Sequence, residues 1–334
     1  MVLTLVGLSR GTLQEMANRS KGVGADIIVR PPGSVAISFS GNMSEGILAF
    51  VRKEIPHVGM ATATLVEPLG AFDSMTGINL QEFSALSGGF KYLAGGPFSG
   101  PDDMLVDEVY ARTHKTSVND KIDLKGREWR VSGIVESGKL ARMFVPIDTL
   151  RPISANTGKI SSVYIKLDSP ANDQTTINTL REKLPRYEVY SIDQMMSLFA
   201  PENVPLLAQF IKVVEGLGVF IGFLVVFLSM YTAVLERTRE IGVLKALGAS
   251  PGYILNILLR ETAVLSVVGT VIGIIFTYGS RWLINTFVTS MTQVIVPDWW
   301  PIAAAISLIG SLVGALYPGL KAAQQDAIEA LAYD

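Results

Sequence analysis

The chain has 334 residues, of which 49% are hydrophobic and only 17% charged, well under the roughly 25% charge of soluble domains. Its formal net charge is -2 and its Lys and Arg are scattered rather than gathered in a stripe interleaved with aromatics, which excludes the electrostatic footprint of a nucleic-acid binder. Cysteine is absent, so disulfides, thiolate nucleophiles and thiolate metal sites are excluded too.

The apolar surplus sits in the C-terminal third, whereas residues 9–207 have the composition of an ordinary globular domain. Residues 1–8, MVLTLVGL, are too short to cross a bilayer and have no basic segment before them. They are expected to be the closing part of a first membrane helix, the alternative being a short apolar first strand. Ala25 to Arg30, ADIIVR, predicts a buried strand ended by Pro31 and Pro32. Met43 to Glu54 has an amphipathic helical pattern, and His57 to Val66 is β-rich before Pro68. Leu105 to Leu124, Glu128 to Glu136 and Ser162 to Leu167 add helix and strand, and Asn172 to Leu184 predicts a helix ending before Pro185. Strands and helices do not alternate regularly enough for a doubly wound parallel sheet, so this domain is expected to be α+β. His57 and His114 are far apart and carry no metal-ligand spacing.

Val213 to Leu235 is the first segment that can cross a membrane, about 34 Å long as a helix against a hydrocarbon core of about 30 Å. It is flanked by Lys212 and by Glu236, Arg237 and Arg239. Further spans are expected from about Thr262 to Tyr278 and from Trp299 to Tyr317, with Gly269, Gly273, Gly310 and Gly314 available for close helix packing. Arg237, Arg239, Lys245 and Arg260 lie between the first two of these spans, and only Arg281 edges the next connection. The positive-inside bias therefore puts residues 236–261 in the cytoplasm and residues 9–207 outside, with Tyr278, Trp282, Trp299 and Trp300 as an aromatic belt at the outer interface.

The stretch ERTREIGVLKALGASPGYI, Glu236 to Ile254, predicts a helix carrying Ile241, Leu244, Leu247 and Gly248 on one broad face. Gly248 ends it, and a second helix starts at Ser250 as N-cap with Pro251 in the first helical position. From the residues alone, this hairpin is equally a solvated juxtamembrane helix lying against anionic lipid. Glu215 and Glu261 are the acids touching the membrane segments; both are shallow, near Lys212 and Arg260, and are expected to anchor at the interface.

The same stretch resembles the cytoplasmic coupling segment of MacB/FtsX-like permeases, E-R-x-R-E-I-G-x-x-[KR]-A-L-G-A-[ST]. Glu236, Arg237, Arg239, Glu240, Ile241, Gly242, Lys245, Ala246, Leu247, Gly248, Ala249 and Ser250 stand in register with it. The closing YPGLKAAQQDAIEALAYD is similar to the family's tail, departing from it at Ala327, where proline is usual, and at Ala332, where a basic residue is usual. Pro101 to Gly138 resembles the family's inserted β-rich subdomain, set at about residues 85–150.

The resemblance implies four membrane helices with the external domain between the first two, so that residues 1–8 end the first. Residues 208–235, 262–280 and 299–318 are then the complete membrane helices, 281–298 a short outer loop and 319–334 a cytoplasmic tail. It implies an ABC transporter permease of the plasma (inner) membrane with no catalytic site, cofactor or metal. Its partners would be an ATPase subunit in trans, a second permease copy or homologue and the lipid bilayer, with room for an extracytoplasmic adaptor. Glu236, Arg237, Arg239, Glu240, Ile241, Leu244, Lys245, Leu247 and Gly248 would engage the ATPase. Gly158-Lys159 is followed by Ile160 and Gly138-Lys139 by Leu140, so no phosphate-binding GxxxxGK[ST] occurs in these residues, and Gly22-Val23-Gly24 is no dinucleotide fingerprint. The implied work is export or extraction of a lipophilic molecule, peptide or lipoprotein. The alternatives are FtsX-like control of external partners without transport, and a membrane-anchored binding protein.

Overall fold

The computed structural model describes residues 2–34, 43–69, 73–154, 157–198, 205–288 and 291–324. The chain divides into two compact units, an external-domain unit of residues 10–205 and 285–292 and a helical unit of residues 1–9, 206–284 and 293–334. The first element, α1 (Val2–Lys21), contributes to both. A helix forms here rather than the alternative first strand, and it runs on past Leu8.

The external-domain unit continues with β1 (Ile27–Arg30), β2 (Met43–Ser44), α2 (Gly46–Glu54), β3 (Val58–Pro68) and β4 (Ser74–Ile78). Then come α3 (Leu80–Ser87), β5 (Tyr92–Gly95), β6 (Asp103–Asp107), α4 (Glu108–His114), β7 (Lys121–Leu124) and β8 (Arg127–Val135). It closes with β9 (Met143–Pro146), α5 (Ile147–Ile153), β10 (Lys159–Ile160), β11 (Ser162–Leu167), α6 (Asp173–Lys183), β12 (Glu188–Ser191) and α7 (Ile192–Leu198). Its main sheet has the order β12-β1-β11-β3-β4-β9-β6-β8-β5, with β7 also on β8. Only β4/β9 and β6/β8 are parallel pairs among the described strands, so the expected α+β class holds. The segment anticipated as an inserted subdomain at 85–150 supplies β5 to β9, and the β4/β9 pair makes these strands part of the same sheet.

Period-2 alternation explains the core. Ala61, Ala63 and Leu65 of β3 face inward with Val163 and Ile165 of β11 and Ile27 and Val29 of β1, while Thr62 points to the other face and donates to Glu82 of α3 at 3.3 Å. At the far side Phe144 packs edge-on to Phe90, centroids 4.9 Å apart, and both meet Phe83. Asn79 caps α3 by accepting from Glu82 N at 3.1 Å, and Asp107 caps α4 by accepting from Tyr110 N at 2.7 Å. One expectation shifts: the helix anticipated from Met43 begins at Gly46, because Met43 and Ser44 pair with Ile160 and Lys159 in a separate two-stranded sheet. Gly22, just after α1, is obligatory in size, since a Cβ there would lie 1.9 Å from the Gly138 carbonyl oxygen.

The helical unit holds α9 (Thr238–Ala246), α11 (Trp300–Gln324) and all but the outermost residues of α8 (Pro205–Glu236) and α10 (Pro251–Phe287). Among the described residues Lys212–Glu236, Pro251–Phe287 and Pro297–Gln324 are long and apolar enough to cross a membrane. The middle one far exceeds the expected 262–280, because Arg260 and Glu261 sit within the helix without breaking it. Large side chains such as Phe220 at 57% and Phe276 at 72% exposure would be costly in water and belong in lipid or against another chain. Polar side chains in α10 satisfy themselves locally or across helices: Thr262 Oγ1 donates to Leu258 O at 2.9 Å, and Ser266 meets Ser307 of α11 at 3.1 Å.

Of the glycines expected to allow close packing, only Gly314 does so in this chain, where a Cβ would lie 3.1 Å from the Phe223 carbonyl oxygen. Gly269, Gly273 and Gly310 face open space, because their helix faces point away from the neighbouring helices. Trp299 and Trp300 pack on Leu3, Val6 and Val296, whereas Tyr278 and Trp282 of the anticipated belt are exposed. Glu261 pairs with Arg237 at 3.1 Å rather than depending on Arg260. The divergent tail positions Ala327 and Ala332 lie outside the described residues.

Asp103 of β6 is buried. Burial alone raises its pKa, but hydrogen bonds from the Ser99 hydroxyl and N–H, from Arg130 and from Gly100 N–H outweigh it and hold the carboxyl below its ordinary value. A carboxylate depressed in the folded state contributes stability above its unfolded pKa and loses that contribution as pH falls through the folded value. Denaturant titrations of Asp103→Asn should show about 1–3 kcal/mol less stability at neutral pH. They should also show a shallower acid loss than wild type below about pH 4; an identical acid limb would mean that Asp103 is not ionised in the native protein.

Candidate functional site

The hairpin between α8 and α10 arises from three local signals. Arg237 leaves the helical region (φ -102°, ψ 14°) and separates α8 from α9. At the other end Gly248 adopts φ +95°, and Gly248 N donates to Lys245 O at 2.9 Å while Ala249 N donates to Leu244 O at 3.0 Å. Those two bonds form a Schellman motif, which satisfies the last carbonyls of α9 and needs the left-handed residue that glycine supplies. Ser250 Oγ then accepts from Tyr253 N at 3.3 Å and Pro251 opens α10, as the capping pattern predicts.

The anticipated apolar face of α9 is divided in two. Ile241 is 6% exposed and belongs to one buried cluster with Met230 and Val234 of α8, Ile254 and Leu258 of α10, and Ala315, Ala322 and Ala323 of α11. Thr238 and Gly242 are buried beside it, and Thr238 Oγ1 donates to Val234 O at 3.0 Å. Residues 238, 241, 242 and 245 are spaced as one helical stripe, and Lys245 at its end is half-buried. Leu244 and Leu247 turn the other way, with Leu247 81% exposed. Glu236, Arg237, Arg239, Glu240 and Gly248 are exposed as well.

Of the nine residues singled out in the sequence, seven are therefore on the surface, Lys245 is intermediate and Ile241 is an internal anchor. The pattern missed Val243, 45% exposed, which enlarges the outward apolar face of α9, and Tyr253, 56% exposed at the start of α10. The signal for Val243 was present in the helical spacing 240, 243, 244, 247, opposite the buried stripe. Arg237, ion-paired to Glu261 of α10, ties the start of α9 to that helix. The patch mixes apolar side chains with both signs of charge and offers no nucleophile–base pair. No group of acidic or histidine side chains capable of holding a metal occurs among the described residues. Such a surface can bind another protein or lie against anionic lipid.

Residues 1–183 match the family described as MacB-like periplasmic core domain, and residues 213–327 match the family described as FtsX-like permease C-terminal. The uncharacterized ABC transporter permease YknZ of Bacillus subtilis is 25% identical over 264 residues, covering 73% of this chain and 63% of YknZ. The macrolide export ATP-binding/permease protein MacB of Escherichia coli is 21% identical, covering 99% of this chain and 56% of MacB. The ABC transporter permease YtrF of Bacillus subtilis is 46% identical over 69 residues, which is 21% of this chain. The chain thus spans less than two thirds of the length of YknZ and of MacB.

The division of α9 into an anchored and an outward face gives a direct contrast. Ile241→Ala should destabilise the helical unit by about 2–4 kcal/mol, whereas Leu247→Ala should change stability by no more than about 0.5 kcal/mol. Thermal unfolding of the full chain in detergent, tracked by circular dichroism, reads both; equal losses would contradict the two-faced geometry.

Proposed function

The chain belongs to the MacB/FtsX family of ABC transporter permeases, and on that premise we propose that the outward face of α9 is the seat of an ATPase supplied in trans. The observation that carries this is the exposure of Leu244 and Leu247 on a helix whose other face is locked by Ile241. Apolar side chains on an anchored, rigid element make a good docking surface, because little conformational entropy remains to be lost on binding. The flanking Arg239 and Glu240 would set orientation and exclude wrong partners.

In this reading the permease lies in the inner membrane, with residues 236–261 in the cytoplasm by the positive-inside bias and residues 10–205 outside. Residues 2–9 are helical, and Leu3 and Val6 pack with Val296, which supports their lying in the membrane with the apolar helices. Two permease copies, or a copy and a homologue, pair with two ATPases, and nucleotide-driven closure of the ATPases pushes on α9. The cluster around Ile241 delivers that push to α8, α10 and α11 together. The membrane helices carry few polar side chains, so the work is done on a lipophilic molecule, peptide or lipoprotein outside or at the outer leaflet rather than through a hydrophilic pore. The name of the Escherichia coli relative, a macrolide exporter, agrees with a lipophilic substrate.

Affinity purification of the detergent-extracted full-length chain should bring down a nucleotide-binding subunit identifiable by mass spectrometry. Glu240→Arg combined with Leu244→Asp, or Leu247→Asp alone, should reduce its recovery at least tenfold, the effect of about 1.4 kcal/mol, while the chain itself is recovered undiminished. Recovery of no such subunit with wild type, from a membrane fold kept intact, would overturn the proposal in favour of an anchored binding protein.

A further inference from the structure

Four charged side chains in the external-domain unit converge where three distant stretches of chain meet. Arg142, immediately before β9, donates through Nη2 to Glu15 of α1 at 2.5 Å and through Nη1 to Asp107 of β6 at 3.3 Å. Arg19 lies 3.4 Å from Glu15 and 3.5 Å from Asp107, so two cations and two anions close a ring. The Arg142 and Asp107 side chains are 8% and 1% exposed. Burial pushes the Asp107 carboxyl up, against the Tyr110 N–H and the two arginines, and burial with Arg142 pulls the Arg19 guanidinium down, against Glu15 and Asp107.

A fourth stretch, around Thr292 between α10 and α11, joins them. Thr292 Oγ1 donates to the second oxygen of Glu15, and Thr292 N donates to Thr12 Oγ1 at 3.3 Å. The sheet does not need this ring for its interior, because Met104, Val106, Met143 and Val145 on either side already lie in the apolar core. What the ring adds is attachment. A guanidinium fork can hold two carboxylates on separate elements at once, which an ammonium cannot do with the same geometry.

We propose that the Glu15–Arg19–Asp107–Arg142 ring with Thr292 is a joint that makes residues 10–21 of α1 and residues 291–292 move with the central sheet as one body, Arg142 being its positioning residue. This rests on the coupling reading for its purpose, since α1 is one continuous helix from Val2 to Lys21 and ends in these contacts. Its existence as a joint is testable without any ATPase.

Hydrogen–deuterium exchange of the full-length chain in lipid nanodiscs reads it. Arg142→Met should raise amide exchange across residues 10–21 and 291–292 by about tenfold or more, with β3 and β11 as protected as in wild type. Arg142→Lys should fall between the two, and Thr292→Val should affect residues 291–292 without loosening residues 10–21. Unchanged exchange at residues 10–21 and 291–292 in Arg142→Met, or a rise shared equally by β3 and β11, would overturn the joint. In a complex with ATPase, ATP should alter exchange at residues 10–21 of wild type and not of Arg142→Met, with the ATPase still bound. If no ATPase binds wild type, the coupling reading fails, whereas exchange in the chain alone still decides the joint.

Discussion

The burial of Ile241 among side chains from three neighbouring helices is the interaction on which the helical unit depends. Met230 and Val234 come from α8, Ile254 and Leu258 from α10, and Ala315, Ala322 and Ala323 from α11. The alanines matter because their small side chains let α11 approach closely, and Gly319 carries this further: a Cβ there would meet Leu255 Cδ1 at 2.9 Å. With one face of α9 committed in this way, the opposite face has to be the exposed one. The outward patch is therefore a geometric by-product of an inward lock.

The external-domain unit solves a different problem. Its sheet buries apolar faces in the ordinary manner, with β3 and β11 among its inner strands, but the chain must also hold α1 and a segment that arrives from far along the sequence. Apolar packing is non-directional, whereas the Arg142 fork selects particular oxygens on particular elements. The two kinds of interaction divide the labour, the core supplying stability and the charged ring supplying placement.

Much of this was legible in the residues. The Gly248-Ala249-Ser250-Pro251 run encodes the end of one helix and the start of the next through φ and hydrogen-bond requirements that few other residues satisfy, and β11 appears at its expected bounds. The α+β character was visible in the irregular alternation of elements. The division of α9 was harder to see, because Ile241 and Leu244 are both apolar and only the packing partners decide which one turns inward. The length of α10 was hidden because charge marks an expected membrane boundary without marking a helix boundary. The ring at Arg142 needed long-range contact, yet an arginine in the otherwise apolar LARMFVP and an aspartate in MLVDEVY both announce that a partner must exist.

The short span of α9, from Thr238 to Ala246 between a break at Arg237 and the left-handed Gly248, has a consequence for how such chains diversify. Each residue added to a helix rotates the remainder of that helix by about 100°, so one insertion between Ile241 and Leu247 would swing the outward leucine around the axis while Ile241 stayed fixed. Substitutions on the outer face leave the buried stripe untouched, but length cannot drift by single steps. The hairpin behaves as a keyed fitting, whose teeth can be recut while its indexing is preserved.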